Sequence, residues 1–293
     1  MGEMSLLTAF ARPARRGPSL AARRIILLFL AGGLAAGAAG TADPMASYTM
    51  GTGSPPIVLI HTIGGDRSDW DLVTPALAKR HRLLIVDLPG HGRSAPPEKT
   101  TVAEAAKRLE QVLSRNKVTG ALLVGHSYGA LVALELAADH PKRAAAVVAI
   151  DAATYTTADS AQLTSAKLML RERYSVFLHA IFERMTSDPA RSDSLVAHAT
   201  RVKQEVLSEY FHDAWKTDLR PRVKGMKTPV HVVLTEMLWP QAESWTGART
   251  RLGYQTAGPA QGHRIMDSAH FIALDRPDTL VQVIEQISTQ TPR

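Results

Sequence analysis

The sequence predicts an α/β fold, in which a doubly wound, mostly parallel sheet is covered by helices and carries one helical insertion. From residue 43 onward, short runs of apolar residues, many of them β-branched, alternate with longer amphipathic stretches. The runs are apolar across their width, as is typical of parallel strands buried on both faces. Only residues 155–222 break this alternation, because they contain no convincing strand.

The first 42 residues predict an export signal peptide or, as an alternative, an uncleaved N-terminal membrane anchor. A basic stretch ends at Arg23 and Arg24, an apolar run covers 25–39, and small residues up to Ala42 offer cleavage sites. The run is shorter than the roughly 20 residues that a spanning helix needs. We therefore expect a periplasmic or secreted protein, and the arginine pair also permits the twin-arginine route.

Six strands are predicted from the short apolar runs. Helices are predicted between them where apolar residues recur at helical spacing, with Pro141 ending the second helix. The alternation of strands and helices favours a doubly wound sheet. The predicted strands cover residues 57–61, 83–87, 121–125, 146–151, 230–235 and 263–267, and the clearest helices cover 101–113, 128–139 and 277–289.

The predicted domain organisation is a core domain, 43–154 and 223–293, interrupted by a helical insertion, 155–222. In the insertion, Leu170, Phe177 and Ile181 belong to apolar stripes at helical spacing. These side chains predict either a pocket lining above the core or simple packing onto it, and the sequence does not separate the two.

Composition excludes several classes of function. The formal charge is +7, but five arginines lie in the first forty residues and the rest of the chain has no basic run, so we expect no nucleic-acid partner. The chain has no cysteine, which excludes disulfides, thiolate metal sites and cysteine nucleophiles. No metal or cofactor motif is visible, and the expected partner is a small-molecule substrate, with membrane contact only through an uncleaved N-terminal segment.

A candidate nucleophile stands out in residues 125–129, whose sequence GHSYG fits the pattern G-x-S-x-G. The pattern lies between the predicted strand 121–125 and the predicted helix 128–139, the context in which it holds a reactive serine on a tight turn. Ser127 is therefore the predicted nucleophile. A serine hydroxyl needs a base to remove its proton, so a histidine should lie close to it in the fold.

With this motif and three others, the chain from about residue 47 to the end resembles the α/β-hydrolase superfamily. The other segments are 61–65 (HTIGG), 87–94 (DLPGHGRS) and 267–271 (DSAHF), in the order expected. The resemblance implies His270 as the base and the backbone N–H groups of Tyr128 and Ile63 as the oxyanion hole. The sequence departs from the family at Thr62, where glycine is usual, and Gly64 and Gly65 could restore the flexibility of that loop.

The acid that orients His270 is open between two residues. The superfamily usually places it after the strand that corresponds to 230–235, often in a Gly-x-x-Asp loop, but only Glu236 is present there. Asp151 ends the preceding strand and is favoured, since some relatives, including haloalkane dehalogenases, have their acid at that position. Neighbouring parallel strands lie about 4.8 Å apart, so a carboxylate at either strand end could reach a shared histidine. Asp151 could instead cap the following turn. Asp275 is expected to cap the last helix.

The resemblance implies a serine hydrolase that cleaves a small or medium carboxylic ester or lactone through an acyl-enzyme. Two alternatives remain. The same triad could act on another bond, as a C–C hydrolase, perhydrolase or amidase. The chain could also be a catalytically impaired binding protein, an alternative favoured by Thr62 and by the missing Gly-x-x-Asp acid.

Overall fold

A computed structural model describes residues 43–291. The predicted signal peptide or anchor, 1–42, lies outside the described residues and stays a prediction. Within the described range, seven strands form one sheet in the order β1-β3-β2-β4-β5-β6-β7. The strands are β1 Ser47–Met50, β2 Ile57–Ile60, β3 Leu83–Val86, β4 Ala121–His126, β5 Ala144–Ile150, β6 Val230–Thr235 and β7 Ala260–Ile265.

The sheet is parallel except at one edge, where β1 pairs antiparallel with β3. In β2, Val58 and Ile60 pack into the core on one face, while Ile57 and Leu59 pack into the core on the other. Strands buried on both faces are nearly continuous apolar runs, which is why they were recognisable in the sequence. The predicted α/β fold class is confirmed.

The bounds of the helices are α1 Thr74–Leu77, α2 Val102–Arg115, α3 Tyr128–Asp139, α4 Ser160–Glu172, α5 Tyr174–Met185, α6 Ser192–Ala199, α7 Gln204–Lys216, α8 Arg220–Val223, α9 Trp245–Arg251, α10 Ile272–Asp275 and α11 Pro277–Gln290. Helices α1, α8 and α10 have only four residues and α9 has seven, while the other helices are longer. Short 3₁₀ turns cover Arg67–Trp70, Pro141–Arg143 and Pro189–Arg191.

Helices α2 and α3, which flank the sheet, are stabilised by a side-chain cap and by burial, respectively. Thr101 accepts a hydrogen bond on its hydroxyl from the N–H of Glu104 and so caps α2, whose apolar residues face the core. Helix α3 is buried almost all round, because it packs on the sheet and is covered by α2 and α8. Across residues 43–291, none of the helices has both the length and the apolar character needed to cross a membrane.

The structure differs from the predicted strands at both edges of the sheet. Strand β1 was missed because it is only four residues long and partly exposed, so it has no continuous apolar run. Strand β7 begins and ends earlier than the predicted 263–267 and is largely half-exposed, because an edge strand needs less apolar cover. The central strands lie close to their predicted positions.

Between β5 and β6 the chain forms helices α4 to α8. An isolated β-bridge pairs Tyr155 with Asp218 and so joins the two ends of this insertion. Leu170, Phe177 and Leu178 are buried and belong to the same apolar core as the sheet-facing side of α3. The division into a core and an inserted domain remains a prediction.

Candidate active site

Ser127 occupies the turn between β4 and α3 with a strained backbone, φ +53° and ψ −113°. A left-handed φ costs a residue with a Cβ on the order of 1–2 kcal/mol, so the surrounding structure must impose it. The N–H of Ser127 donates to the carbonyl of Ile150 on β5, 2.8 Å away. The turn thereby places Ser127 in the wall of a cavity above the carboxyl ends of the strands.

Two glycines permit this turn because a side chain at either position would overlap backbone atoms. A Cβ on Gly125 would lie 2.2 Å from the carbonyl oxygen of Gly129, and a Cβ on Gly129 would lie 2.3 Å from that of Ile60. Helix α3 therefore runs unusually close to β4 and β2. The two outer glycines of the G-x-S-x-G pattern thus explain how the serine can sit at the start of the helix.

His270 reaches the same cavity from the loop after β7. Its Nδ1 lies 2.7 Å from Oδ2 of Asp151, and both side chains are buried. Its Nε2 has no hydrogen-bond partner among the described residues. An imidazole held through Nδ1 by a carboxylate, with Nε2 free, has the arrangement expected of a general base.

Asp151 is fixed at the end of β5 by its backbone and by β6. Its φ is +45°, and its N–H donates to the carbonyl of Val233 at 2.8 Å. Oδ1 accepts hydrogen bonds from the N–H of Thr235 at 3.0 Å and from its hydroxyl at 2.9 Å. The carboxylate is therefore held by two short contacts from one residue, while its second oxygen faces the imidazole.

Glu236, the alternative acid, makes a different contact. Its Oε1 accepts a hydrogen bond from the side chain of Gln241 at 3.0 Å. The geometry thus brings Asp151, and not Glu236, to His270. Sequence reasoning missed Thr235, although a hydroxyl residue at the end of a mostly apolar strand was a visible signal.

Asp275 does not cap the last helix as expected. Arg276 occupies the N-cap position of α11, and no side chain caps it. Asp275 instead accepts hydrogen bonds from the N–H groups of Ala269 at 2.9 Å and Ser187 at 3.2 Å. It turns toward the loop because those two N–H groups are within reach there, and so it ties the His270 loop to the insertion.

The two predicted oxyanion-hole residues, Tyr128 and Ile63, line the cavity together with Ser127. Tyr128 is the first residue of α3, where the N–H groups lack partners within the helix and the helix dipole favours negative charge. Its hydroxyl donates to Asp213 on α7 at 2.7 Å. The start of α3 is therefore held by the insertion as well as by the sheet.

The loop that carries Ile63 is braced by buried imidazoles. Nε2 of His61 accepts from the N–H of Leu88 at 2.8 Å, and its Nδ1 lies 2.7 Å from the carbonyl of Thr62. Nε2 of His91 accepts from the N–H of Gly64 at 3.1 Å. Burial lowers the pKa of His61 to about 4 and that of His91 to about 3, so both rings are neutral at pH 7 and able to accept.

His126 lies directly beside the catalytic candidate, with its ring centroid 4.5 Å from that of His270. Burial, and then the proximity of His270, lower the pKa of His126 well below its usual value. A neutral ring at this position places no positive charge next to His270, so it does not oppose protonation of His270 during a reaction.

The cavity has a volume of about 220 Å³ and walls from both the core and the insertion. The core contributes Ser127, Asp151 and His270, and the insertion contributes apolar side chains together with the polar Tyr155, Thr156, Thr157 and Arg184. The apolar part of the lining comprises Ile63, Leu131, Ala152, Ala153, Ala158, Ile181, Met185, Phe211, Ala214, Trp215, Leu238 and Leu252.

Comparison with known protein families agrees with this geometry. The family model described as the alpha/beta hydrolase fold matches residues 55–229, more than half of the chain. The chain belongs to the α/β-hydrolase fold family. The resemblance inferred from the four motifs is confirmed, and so is the prediction that the chain is a hydrolase enzyme.

Several proteins are similar to this α/β-hydrolase. Pimeloyl-[acyl-carrier protein] methyl ester esterase of Edwardsiella ictaluri is 29% identical, and the alignment covers 62% of this chain and 74% of the esterase. A dihydrolipoyllysine-residue acetyltransferase component of the acetoin cleaving system from Pseudomonas putida is 38% identical over 35% of this chain. The chain spans only 28% of the length of that relative.

Among solved structures, the enol-lactonase from Burkholderia xenovorans LB400 superimposes with a TM-score of 0.71 at 23% identity. The match covers 84% of this chain and 96% of the lactonase. At this identity the likeness shows the fold of this α/β-hydrolase and leaves its substrate to be inferred from its own residues.

Proposed function

We propose that this α/β-hydrolase cleaves a small or medium carboxylic ester or lactone through an acyl-enzyme on Ser127. The observation that carries the proposal is one cavity lined by Ser127, presented on a strained turn, and by His270, whose Nδ1 is 2.7 Å from the buried Asp151. The ester and lactone activities in the names of similar proteins give independent support.

In the first half of the reaction, Oγ of Ser127 bonds to the carbonyl carbon and its proton passes to Nε2 of His270. The oxygen becomes negatively charged and accepts hydrogen bonds from the N–H groups of Tyr128 and Ile63. When the C–O bond to the alcohol breaks, the alcohol takes the proton from His270. Asp151 stabilises the transient imidazolium without becoming protonated.

In the second half, a water molecule attacks the acyl carbon while His270 removes one of its protons. The bond to Ser127 then breaks, the proton returns to Oγ, and the acid leaves. A cavity of about 220 Å³ lies just below the roughly 300–1,000 Å³ of pockets for drug-sized ligands, which supports a small or medium acyl or alcohol group over a large one.

The test is labelling with a fluorophosphonate probe, which reacts with an activated serine. We expect wild type to be labelled and to hydrolyse short-chain esters, and the Ser127→Ala variant to be neither labelled nor active. Ser68, whose hydroxyl donates to Asp66 outside the cavity, provides the matched control Ser68→Ala. A folded wild-type protein that stays unlabelled and leaves every ester of the panel intact would overturn the proposal in favour of a binding protein.

We also propose export, on the basis of the apolar run at 25–39 and the arginines before it. The prediction is tested by expressing the full chain in a Gram-negative host and sequencing the N-terminus of the protein from the periplasmic fraction. A mature protein that begins between residues 37 and 44 is expected. Cytoplasmic protein that retains Met1 would contradict it.

A further inference from the structure

We propose that Arg184 is a specificity-determining residue that selects substrates carrying an oxyanion group, such as a carboxylate or phosphate, at one end. This inference rests on the proposed function, because it concerns the substrate of the same cavity. Arg184 lies near the end of α5 and lines the cavity that holds Ser127 and His270.

The chemical contrast within the cavity is the first support. Apart from the reactive groups, the wall consists largely of aliphatic and aromatic side chains such as Met185, Phe211 and Trp215. Arg184 contributes the one guanidinium group among the lining residues. The carboxylate of Asp151 is already occupied by His270 and Thr235, so it leaves the charge of Arg184 uncompensated.

The backbone at Arg184 is tied to the loop that carries His270, and its side chain is exposed where it lines the cavity. Its neighbour Met185 accepts a hydrogen bond on its backbone carbonyl from the N–H of Phe271, 3.0 Å away, and Phe271 follows His270 directly. Since consecutive Cα atoms are about 3.8 Å apart, the backbones of Arg184 and His270 lie on the order of 10 Å from each other. A long side chain at that distance can meet the far end of a bound ester.

The guanidinium has no partner within the protein. Arg171 pairs with Glu172, and Arg191 pairs with Asp188 and Asp275, but the side chain of Arg184 makes no hydrogen bond or ion pair with any residue of 43–291. The adjacent Glu183 does not compensate it, because consecutive residues of a helix point in different directions.

These features define a class of substrate. A planar guanidinium binds carboxylate or phosphate through two parallel hydrogen bonds, and its fixed positive charge excludes cationic ligands. The apolar wall favours a hydrocarbon segment between the scissile ester and the charged end. We therefore infer an amphipathic ester whose acyl or alcohol part ends in an oxyanion.

The experiment compares matched substrates that differ only in charge. Monomethyl esters of linear dicarboxylic acids of increasing length are paired with the methyl esters that end in an uncharged carboxamide. A second series carries the carboxylate or carboxamide on the alcohol part, and a third carries a terminal phosphate. The readout is the ratio of kcat/KM for the charged substrate to kcat/KM for its neutral partner, measured at low and high salt.

For wild type we expect a ratio of about ten for at least one series at low salt, falling as salt rises. Arg184→Gln should lower this ratio to about one, and Arg184→Lys should retain part of it. Because the ratio is internal to each protein, partial misfolding of a variant does not alter it. Arg173→Gln is the matched control, since Arg173 is exposed on the same insertion and does not line the cavity, and its ratio should equal that of wild type.

The outcomes separate the two proposals. If wild type hydrolyses the neutral esters but prefers no charged partner in any series, or if Arg184→Gln keeps the preference, the inference about Arg184 is overturned while the proposed function stands. If wild type hydrolyses none of the neutral or charged esters, the proposed function itself fails. A preference for phosphate alone supports the inference and identifies phosphate as the group recognised.

Discussion

The carboxyl edge of the sheet and the helical insertion form opposite walls of one cavity, but they are built in different ways. At the sheet edge, Ser127 and Asp151 are held in left-handed backbone conformations by hydrogen bonds to the next strand. The insertion is held mainly by apolar contacts such as those of Phe177 and Leu178, together with a few polar contacts to the core, made by Asp213, Asp275 and His198.

On the proposed function, the sheet edge would determine the reaction, and the insertion would determine which substrates enter the cavity. Positions fixed by strand ends and buried polar contacts tolerate almost no displacement, as a proton transfer over hydrogen-bond distance requires. Apolar packing constrains volume more than identity, so the insertion can exchange side chains and alter what enters the cavity. Substitutions in the two walls test how far this separation of roles holds.

The largest effect is expected from Asp151→Asn. An asparagine keeps the size of the side chain but presents an amide to Nδ1 of His270 and so favours the wrong tautomer, which should lower kcat for ester hydrolysis by about 10³-fold or more. The matched control is Glu236→Gln, which should stay within about twofold, since Glu236 contacts Gln241 and not His270. The reverse ranking in steady-state kinetics would show that Glu236 is the acid.

The next effect concerns stability. Gly125→Ala would place a Cβ 2.2 Å from the carbonyl oxygen of Gly129, which forces α3 away from β4. We expect a loss of about 3 kcal/mol in the free energy of unfolding, measured by urea denaturation. The control is Gly120→Ala, where no atom lies within 4 Å and only the positive φ of +57° opposes a side chain, at a cost of about 1 kcal/mol. Equal losses would mean that the helix does not depend on this close approach.

Asp275→Asn tests the tie between the two walls. The side chain of Asp275 is inaccessible to solvent and accepts from Ala269 and Ser187, so loss of its charge weakens both bonds. We expect kcat to fall by about tenfold and stability to fall by about 1–2 kcal/mol. Asp278→Asn, at an exposed position of α11, should change stability by less than about 0.5 kcal/mol. An unchanged kcat would mean that the His270 loop holds its position without the insertion.

The smallest effect is a pH dependence at the contact of α6 with the loop after β2. Nε2 of His198 lies 2.9 Å from Oδ2 of Asp66, and this partner raises the pKa of His198. Burial opposes ionisation of Asp66, but the bonds from His198 and Ser68 prevail and lower its pKa, so it stays charged above pH 4. The pair therefore stabilises the fold fully below the unfolded pKa of His198, about 6.5, and its contribution is lost as pH rises through the higher folded pKa.

The measurement is the difference in unfolding free energy between wild type and His198→Gln at pH 5.5 to 9. We expect wild type to be favoured by less than about 1 kcal/mol at the acid end, with the difference disappearing at the alkaline end. Asp69, whose pKa burial raises to about 7, titrates in the same range and interacts with His198, so the comparison is repeated in an Asp69→Asn background. A difference that grows with pH would contradict the ion pair.

The sequence predicted those parts of the molecule in which chemistry and periodicity coincide. Strands β2, β3 and β5 are apolar at every position because both of their faces are buried, and Ser127 lies in a pattern whose glycines have no steric alternative. Partners separated in the chain were harder to predict. Asp151 and Glu236 were both plausible by position, and the choice depended on Thr235, whose contacts appear only when β5 and β6 are side by side. Asp275 was misassigned because capping is a preference for the helix that follows, whereas its partners are Ala269 in the preceding loop and Ser187, which is distant in the chain.

The hydrogen bond from the N–H of Ser127 to the carbonyl of Ile150 fixes the spacing between Ser127 and Asp151 through the pairing of β4 with β5. His126 is paired with Ile150 in the sheet, so Ser127 and Asp151, which follow them, leave neighbouring strands at the same level. Since a strand advances about 3.3 Å per residue and alternates its faces, one residue gained or lost within β5 would shift the acid by that length and turn it away. Insertions or deletions in the loops around the sheet would leave the spacing between Ser127 and Asp151 intact. Deletion of a single residue between Ala144 and Ile150 would destroy it.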